Sequence, residues 1–324
     1  MKAFITGING FIGSHLAEYL RAVGDEVLGS VRGGEALHDI LPDIKAVAWD
    51  LAAPTIDSHL RTAIAQFAPD VVYHLAALSI AADCGTDEPS VAARAVNIDG
   101  VRRILELTAS LPRPPRVVFA STSRVYAPVE PSRPIVNEQS PCDPRSAYGK
   151  TKLSAEAICR RAHEDSGQDI VIARLFPNAG PRQDPRLMLA EWARQLAGTA
   201  PVIQVGNLHV TVDMLDVRDG VRALRDLATH GASGAIYNIG SGSPCTTGEL
   251  FELLRRAARD NRPWHERESI PRCDPIADVA ALAACTDWAP TVSRAETITD
   301  VWNYWHGRNR SGAPSLRQQQ QQQQ

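Results

Sequence analysis

The chain begins with Lys2-Ala3-Phe4-Ile5-Thr6-Gly7-Ile8-Asn9-Gly10-Phe11-Ile12-Gly13, an apolar run followed by three evenly spaced glycines. The apolar run predicts a buried strand. Apolar residues at three- and four-residue steps from Ile12 to Leu20 predict a helix directly after the glycines. Strand, glycine turn and helix in this order are typical of a dinucleotide-binding loop, whose helix N-terminus holds a pyrophosphate. We therefore predict that this turn, rather than being an ordinary glycine-rich turn, contacts a cofactor through Gly7, Asn9, Gly10, Phe11, Ile12 and Gly13.

The end of the second predicted strand, residues 26–30, bears on the choice of cofactor. Enzymes that select NAD usually carry Asp or Glu there, because a carboxylate bonds the ribose hydroxyls. This chain has Arg32-Gly33-Gly34 instead, and a guanidinium can pair with a 2′-phosphate. The sequence therefore favours NADP, with NAD as the alternative; the other interpretation of Arg32 is a solvated surface side chain.

Tyr148 and Lys152 form the predicted catalytic pair. They are four residues apart in a segment with helical periodicity, so both should lie on one face of a helix. A phenol with a pKa near ~10 is a poor base at neutral pH, and a nearby ammonium lowers that pKa. We predict that Tyr148 is a general acid/base and that Lys152 tunes it and holds the cofactor's ribose. The alternative is a surface pair on an amphipathic helix.

A third catalytic group is predicted at the end of the strand 116–120. Ser121-Thr122-Ser123 follows this apolar run. In open α/β sheets, ligands bind outside the carboxyl ends of the strands. We predict that Thr122 contacts the reacting oxygen of the substrate, with Ser123 as the second choice.

The order of the elements predicts an α/β fold with a Rossmann-type doubly wound parallel sheet. Apolar strand patterns alternate with helical patterns through residue 174. We predict a dinucleotide-binding domain over 1–174 and a smaller C-terminal α/β substrate-binding cap over 175–307, interleaved with the last sheet elements. Residues 308–324 are polar and end in seven glutamines, so we expect a disordered tail. The predicted sheet strands are 2–6, 26–30, 46–49, 70–73, 116–120 and 170–174.

The composition is that of an ordinary globular protein. The 324 residues include 44% hydrophobic and 22% charged residues, and the net charge of −3 offers no general attraction to nucleic acid. Nothing approaches the roughly 18 apolar residues of a membrane span, and an N-terminus that enters a core strand predicts no signal peptide. The six cysteines show no C-x-x-C spacing. They predict reduced thiols in a cytoplasmic protein, with no metal site and no disulfides.

The motifs together resemble the extended short-chain dehydrogenases/reductases of the NAD-dependent epimerase/dehydratase group, which act on nucleotide sugars. The resemblance rests on the turn from Thr6 to Gly13, on Tyr148 to Lys152 and on Asp216-Val217-Arg218-Asp219. Two stretches, 174–183 and 205–208, resemble most the reductases of GDP-4-keto-6-deoxy-mannose. The resemblance implies NAD(P)H-dependent reduction of a 4-keto-(6-deoxy) nucleotide sugar or a related keto-sugar.

The resemblance also implies further cofactor contacts and a homodimer. After the third strand the implied cofactor contacts are Asp50 and Leu51, and after the fourth they are Leu75, Ala76 and Ala77. Asn97 in the next helix and Phe176 after the sixth strand complete the set. Two helices, roughly 89–109 and 146–165, would pair with their copies in a four-helix bundle. Ile104, Leu105 and Leu107 cannot all face the parent sheet, so we expect some apolar surface there for the partner.

Several departures from the family's pattern concern the substrate. Dehydratases of the group carry acidic residues where this chain has Ser123 and Arg124, and an arginine cannot accept a proton at neutral pH. Pro177 stands in the place of a substrate-contacting Asn, and Val212 in that of a diphosphate-binding Arg. The sequence therefore predicts a depleted diphosphate grip, for which Arg182, Arg218 and Arg272 could compensate. The predicted substrate contacts are Ser79, Ser123, Arg124, Asn178, Arg182 and His209.

Two other functions stay open at this point. One is a nucleotide-sugar epimerase that uses tightly bound NAD, against which the missing acidic residue after the second strand counts. The other is a catalytically silent cofactor-binding protein, against which the intact Thr122, Tyr148 and Lys152 count. The residues do not identify the sugar, its nucleotide, or whether the substrate carries a nucleotide.

Overall fold

The computed structural model describes residues 1–33, 37, 41 and 43–310, and its first half alternates strands with helices. The elements of this half are β1 (Lys2–Thr6), α1 (Phe11–Ala22), β2 (Glu26–Val31), β3 (Lys45–Ala48), α2 (Ser58–Phe67), β4 (Val71–His74), α3 (Ala81–Cys84), α4 (Val91–Arg94), α5 (Gly100–Ala109), β5 (Arg116–Thr122), β6 (Ile135–Val136), α6 (Ala147–Ser166) and β7 (Ile170–Leu175).

The second half contains short strands and four helices of ten or more residues. Its elements are β8 (Asn178–Ala179), α7 (Met188–Ala197), β9 (Ile203–Val205), β10 (Val210–Asp213), β11 (Leu215–Asp216), α8 (Val217–His230), β12 (Ile236–Ile239), β13 (Pro244–Thr246), α9 (Thr247–Ala258), β14 (Trp264–Glu266), β15 (Arg272–Cys273), β16 (Ile276–Ala277), α10 (Ala280–Thr286) and α11 (Arg294–Arg310). None of the helices in the described ranges has the length and apolarity that crossing a membrane requires.

Seven parallel strands form the central sheet in the order β12-β7-β5-β4-β1-β2-β3. The strand alternation places Ala3 and Ile5 in a core under α1 and α8, whereas Phe4 packs in a second core under α2, α5 and α6. Helices therefore cover both faces, which is why the strands read as continuous apolar runs. The doubly wound Rossmann-type sheet predicted from the sequence is confirmed. The direction in which successive strands are added to the sheet reverses between β1 and β4. In sheets of this kind, ligands bind in the crevice at that switch point.

The second half of the chain contributes to two layers. β12 and α8 pack with the large sheet. The helices α7, α9 and α11 instead enclose a separate apolar core, in which the rings of Trp192 and Phe251 meet edge to face at 5.3 Å. We call this second unit the cap. Thr246 begins α9 with a capping box, in which its hydroxyl and the Glu249 carboxylate bond each other's backbone amides. The division of the chain at residue 174 stays a prediction.

Three local predictions need correction. The helix expected over 89–109 is interrupted by a π-helical turn at Ala95–Asp99. Ile104, Leu105 and Leu107 lie in the regular helix α5 and are all buried in the single chain, so the expectation that they leave apolar surface for a partner is wrong. Residues 308–310, expected to belong to a disordered tail, instead end α11. Residues 311–324 and Gly34 lie outside the described residues.

Candidate active site

The glycine turn between β1 and α1 is built from close backbone contacts. Gly7 has a φ of +71°, and its carbonyl accepts a hydrogen bond from the Gly10 amide at 2.9 Å. A Cβ on Gly13 would lie 2.2 Å from the same carbonyl oxygen. No side chain caps α1 at Gly10, so the N-terminal amides of this helix can face a ligand. The chemistry of this cradle fits a dinucleotide's pyrophosphate. The cofactor contacts of residues 7–13 stay a prediction.

The end of β4 lies directly against the glycine turn. A Cβ on Gly7 would meet Cα of Ala76 at 2.9 Å, so Ala76 in the predicted cofactor segment Leu75-Ala76-Ala77 lies against the glycine turn. The Thr6 hydroxyl shares a 2.8 Å hydrogen bond with Nδ1 of His74 and accepts one from the Ala76 amide. Burial lowers the pKa of His74 to about 3, so its ring is neutral. His74 therefore supports the floor of the crevice and carries no charge.

Tyr148 and Thr122 meet where the first turn of α6 faces the end of β5. The Ser146 hydroxyl accepts a hydrogen bond from the Gly149 amide and begins α6. A Cβ on Gly149 would lie 2.3 Å from the Arg124 carbonyl oxygen, so the helix start lies against the turn that follows β5. Burial raises the pKa of the Tyr148 phenol, an effect that a hydrogen bond with Thr122 and the charge of Arg124 oppose. At neutral pH Tyr148 is therefore a protonated phenol, a proton donor.

Lys152 lies one turn further along α6 and is buried. Its Nζ donates a 2.8 Å hydrogen bond to the Ala120 carbonyl and lies 4.8 Å from the centroid of the Phe119 ring. Burial lowers the pKa of Lys152 to about 8, so most molecules keep the ammonium at neutral pH. The expected influence on the phenol needs correction. The pKa of Tyr148 is raised rather than lowered, because burial dominates. The Lys152 ammonium donates to the Ala120 carbonyl instead.

The remaining predicted cofactor contacts differ in accessibility. Arg32 is exposed just after β2, and Asp50 follows β3 with Oδ1 accepting from the Ala52 amide. Leu51 and Phe176 are buried, and Phe176 packs beside Tyr126. These four residues as cofactor ligands stay predictions.

Asn97 lies in the π-helical turn and is buried. Its Nδ2 donates to the Leu78 carbonyl at 2.9 Å and to the Thr151 hydroxyl at 3.1 Å, and its Oδ1 accepts from the Leu78 amide. The side chain thus joins the segment after β4 to α6. Its role towards a cofactor would be to hold these neighbours in place.

The predicted substrate contacts are not gathered in one place. Ser79 is exposed on the segment after β4, and Ser123 is buried beside Thr122. His209 is exposed at the start of the cap strand β10, with Nε2 at 3.6 Å from the Glu266 carboxylate. Arg182 pairs with Glu18 on α1.

Asn178 turns its amide towards α8. Its Nδ2 donates to the Phe176 carbonyl at 2.7 Å. A Cβ on Gly220 would lie 2.3 Å from Oδ1 of Asn178, which has no hydrogen-bond partner among the described residues. A substrate contact through Asn178 would require its side chain to turn.

Val212 and Asp213 occupy buried positions in β10. Val212 packs in the core of the cap. The Asp213 carboxylate accepts hydrogen bonds from the amides of Ser241, Gly242 and Ala277 and from the Ser241 hydroxyl. These bonds fold the segment after β12 onto the cap, which gives Asp213 a structural role.

The structure brings two features to the site that the sequence did not indicate. Cys84 packs beside Tyr148, although 64 residues separate them along the chain. Arg124 pairs with Asp274 at 3.1 Å and so connects the turn after β5 to the segment after β15. No local pattern marks either contact, because each joins segments far apart in sequence. All six cysteines are free thiols, and the described residues contain no cluster of three or more side chains suited to bind a metal.

Comparisons with known proteins agree with this geometry. A model of the NAD dependent epimerase/dehydratase family matches residues 3–240. The GDP-6-deoxy-D-mannose reductase of Pseudomonas aeruginosa is 29% identical over 95% of this chain and 98% of its own length. The solved structure of RMD from Pseudomonas aeruginosa complexed with NADPH has a TM-score of 0.80 and 26% identity, covering 95% of this chain and all of that one. The UDP-glucose 4-epimerase of Thermus thermophilus in complex with NAD has a TM-score of 0.83 and 25% identity, covering 95% and 99% of the two chains.

Proposed function

The chain belongs to the NAD dependent epimerase/dehydratase family, and from that premise we propose that it is an NADPH-dependent reductase of a 4-keto nucleotide sugar or a related keto-sugar. The observation that carries the proposal is the meeting of Thr122 and Tyr148 at the carboxyl end of β5, with Lys152 one turn away on α6. Hydroxyl, phenol and ammonium are thereby collected at the carboxyl ends of the strands, where a carbonyl compound and a dinucleotide can meet. The similarity to a GDP-6-deoxy-D-mannose reductase supports this choice.

Each catalytic residue has a separate task in this mechanism. The glycine turn and Lys152 would hold the dinucleotide, which supplies the hydride when bound. The Thr122 hydroxyl orients the carbonyl oxygen, and the Tyr148 phenol donates its proton to that oxygen as the carbonyl is reduced. The neighbouring Arg124, paired with Asp274, contributes positive potential and no base. These groups suit carbonyl reduction better than removal of water.

The direct experiment follows the absorbance of NADPH with the purified full chain and GDP-4-keto-6-deoxy-mannose. We expect oxidation that depends on the sugar and gives one 6-deoxyhexose product. No oxidation with this compound or with other 4-keto nucleotide sugars would contradict the proposed function. The six free cysteines are consistent with a reducing cytoplasm as the place of the reaction.

We predict that NADPH binds more tightly than NADH and that Arg32→Asp reverses the order. Arg32 is exposed at the end of β2, where a guanidinium can pair with a 2′-phosphate and a carboxylate would repel it. Dissociation constants from quenching of protein fluorescence measure both affinities. Arg21→Asp, which changes a different exposed arginine at the end of α1, is the control for net charge. Tighter binding of NADH by the unmodified chain would contradict the prediction.

An epimerase is the second candidate, since the fold also matches a UDP-glucose 4-epimerase in complex with NAD. Such an enzyme would oxidise and re-reduce one carbon and would keep its cofactor. Purified protein that carries bound NAD and interconverts two nucleotide sugars, without consuming NADPH, would favour this candidate over the reductase.

We predict weak binding of GDP and UDP. Val212 offers no donor to a phosphate, and Arg182 and Arg218 are already paired with Glu18 and Asp216. A charge-assisted hydrogen bond contributes roughly 1.5–3 kcal/mol, so the loss of one weakens binding by about 10- to 100-fold. Titration calorimetry measures the affinities for GDP and UDP. Micromolar binding of GDP that is lost in Asn178→Ala would contradict the prediction.

A homodimer is the predicted assembly. The outer faces of α4 and α6 form a groove of about 680 Å³, whose lining mixes apolar and charged side chains: Glu88, Pro89, Arg94, Ile98, Cys142, Pro144, Lys150, Leu153, Ser154, Ala157 and Arg160. Val91 beside it is 85% exposed. We propose that the same helices of a second copy fill the groove. Light scattering should give twice the monomer mass, and Leu153→Asp should give the monomer, because it places a charge in the interface. A monomer at micromolar concentration before substitution would contradict this assembly.

A further inference from the structure

A buried cluster of three polar side chains ties α6 to the ends of two strands. Glu156 on α6 is fully buried, and Arg174 on β7 is almost so. The Arg174 guanidinium donates two hydrogen bonds to the Glu156 carboxylate, at 2.8 and 3.0 Å. The Ser121 hydroxyl donates a third at 2.5 Å. One carboxylate thus binds β5, β7 and the helix that carries Tyr148 and Lys152.

The register of these contacts leads directly to the catalytic groups. Ser121 lies opposite Arg174 in the β5–β7 pairing and immediately precedes Thr122. On α6, Tyr148, Lys152 and Glu156 follow each other at four-residue steps and share one face. Lys152 bonds the Ala120 carbonyl while Glu156 bonds Ser121. Two consecutive residues of β5 are therefore bonded to two side chains one helical turn apart.

We propose that the Ser121–Glu156–Arg174 cluster is the positioning device of the active site. It fixes the position of α6 along the axis of β5, so that the Tyr148 phenol meets the Thr122 hydroxyl. This inference rests on the proposed function, since it supposes that both hydroxyls act on one carbonyl. A buried ion pair adds little net stability, because desolvation of its charges offsets their attraction. Its directional bonds do limit how the helix can slide.

The cluster also reaches the segment that precedes α6. Arg174 donates to the Glu138 carbonyl at 3.1 Å, and its guanidinium carbon lies 4.8 Å from the centroid of the Tyr126 ring. The Tyr126 hydroxyl donates to Asn238 Oδ1 at 2.6 Å on β12. The Arg174 guanidinium thereby holds the proline-rich segment before Tyr148 as well as Glu156 on α6. Both the helix and the segment that leads into it are fixed to β7.

The test compares Ser121→Ala with Thr297→Val. The Thr297 hydroxyl donates to the Asp216 carboxylate at 2.7 Å, and Asp216 pairs with Arg218. The control therefore removes a hydroxyl from a cluster of the same chemical composition away from Tyr148. We expect Ser121→Ala to lower kcat about tenfold and to leave the KM for NADPH within twofold. Thr297→Val should keep kcat unchanged, while both variants show a similar small decrease in Tm.

A second variant separates positioning from stability. Glu156→Met combined with Arg174→Leu replaces the ion pair by apolar side chains, an exchange that buried pairs often tolerate in stability. We expect a folded protein whose kcat falls at least as far as that of Ser121→Ala. A folded double variant with the original kcat would overturn the proposal, as would equal kcat values for Ser121→Ala and Thr297→Val.

Hydrogen exchange makes the test independent of the substrate. The amides of residues 151–156 should exchange about tenfold faster in Ser121→Ala than in the original chain or in Thr297→Val. Failure of the original chain to reduce any keto-sugar would contradict the proposed function alone. Unchanged exchange of these amides in Ser121→Ala would overturn the positioning proposal alone.

Discussion

Tyr148→Phe is expected to lower kcat by about 10²–10⁴-fold, the usual contribution of a general acid, while the Kd for NADPH changes by no more than a few-fold. The substitution removes only the phenolic oxygen. The remaining ring keeps its packing against the buried cluster of Cys84, Ala93 and Ala147, so the site should stay folded. Because burial raises the pKa of the phenol, the group is protonated at neutral pH and its loss removes a proton donor.

Single-turnover oxidation of NADPH under saturating keto-sugar measures this effect apart from product release. Tyr19→Phe is the matched control, because Tyr19 packs on the core from α1 without reaching the catalytic groups. It should leave kcat unchanged. If Tyr148→Phe retained more than about a tenth of the original kcat, a smaller loss than general acids usually show, another group would have to be the acid.

Gly13→Ala is expected to raise the Kd for NADPH by about 100-fold or more and to lower the free energy of unfolding by about 1–3 kcal/mol. The new Cβ would lie 2.2 Å from the Gly7 carbonyl oxygen and 3.0 Å from Cα of Ile8. Both obstacles are backbone atoms, so no side chain can turn away to relieve the contact. The start of α1 would have to move, and its amides would move with it.

Urea unfolding and NADPH titration measure the two effects separately. The control is Gly307→Ala, since a Cβ at Gly307 in α11 has no neighbour within 4 Å. It should raise the free energy of unfolding by about 0.5–1 kcal/mol, because alanine favours the helix, and leave NADPH affinity unchanged. Affinity near that of the original chain in Gly13→Ala would show that α1 does not hold the cofactor's phosphates.

The sequence by itself determined the elements whose signals are local. The strand, glycine turn and helix of residues 2–22 follow from contiguous periodicity and from glycines that sterics require at Gly7 and Gly13. The six predicted strands of the first half appear with boundaries within two residues of those expected. Their alternation with helices was enough to predict the parallel sheet, because crossovers of one hand leave few topologies. The homodimer and the individual ligand contacts stay predictions.

The sequence did not reveal that the helix predicted over 89–109 is irregular. The sequence predicted one regular helix over 89–109, but a π-helical turn at Ala95–Asp99 interrupts it. The π-helical turn inserts extra rotation, and Asn97 within it bonds Leu78 and Thr151 from two other segments. Such a turn exists because distant partners stabilise it, and no pattern within the helix itself predicts it.

Only the tertiary structure decided the protonation state of the catalytic residues and their alignment. The Tyr148–Lys152 spacing predicted a phenol made acidic by an ammonium. In the structure, burial raises the pKa of Tyr148, and Lys152 donates to the Ala120 carbonyl. The bonds that hold α6 in register come from Ser121 and Arg174 on two strands. Spacing along one helix states which residues share a face. Desolvation and long-range hydrogen bonds depend on what packs against that face, and that is settled when the sheet and its helices come together.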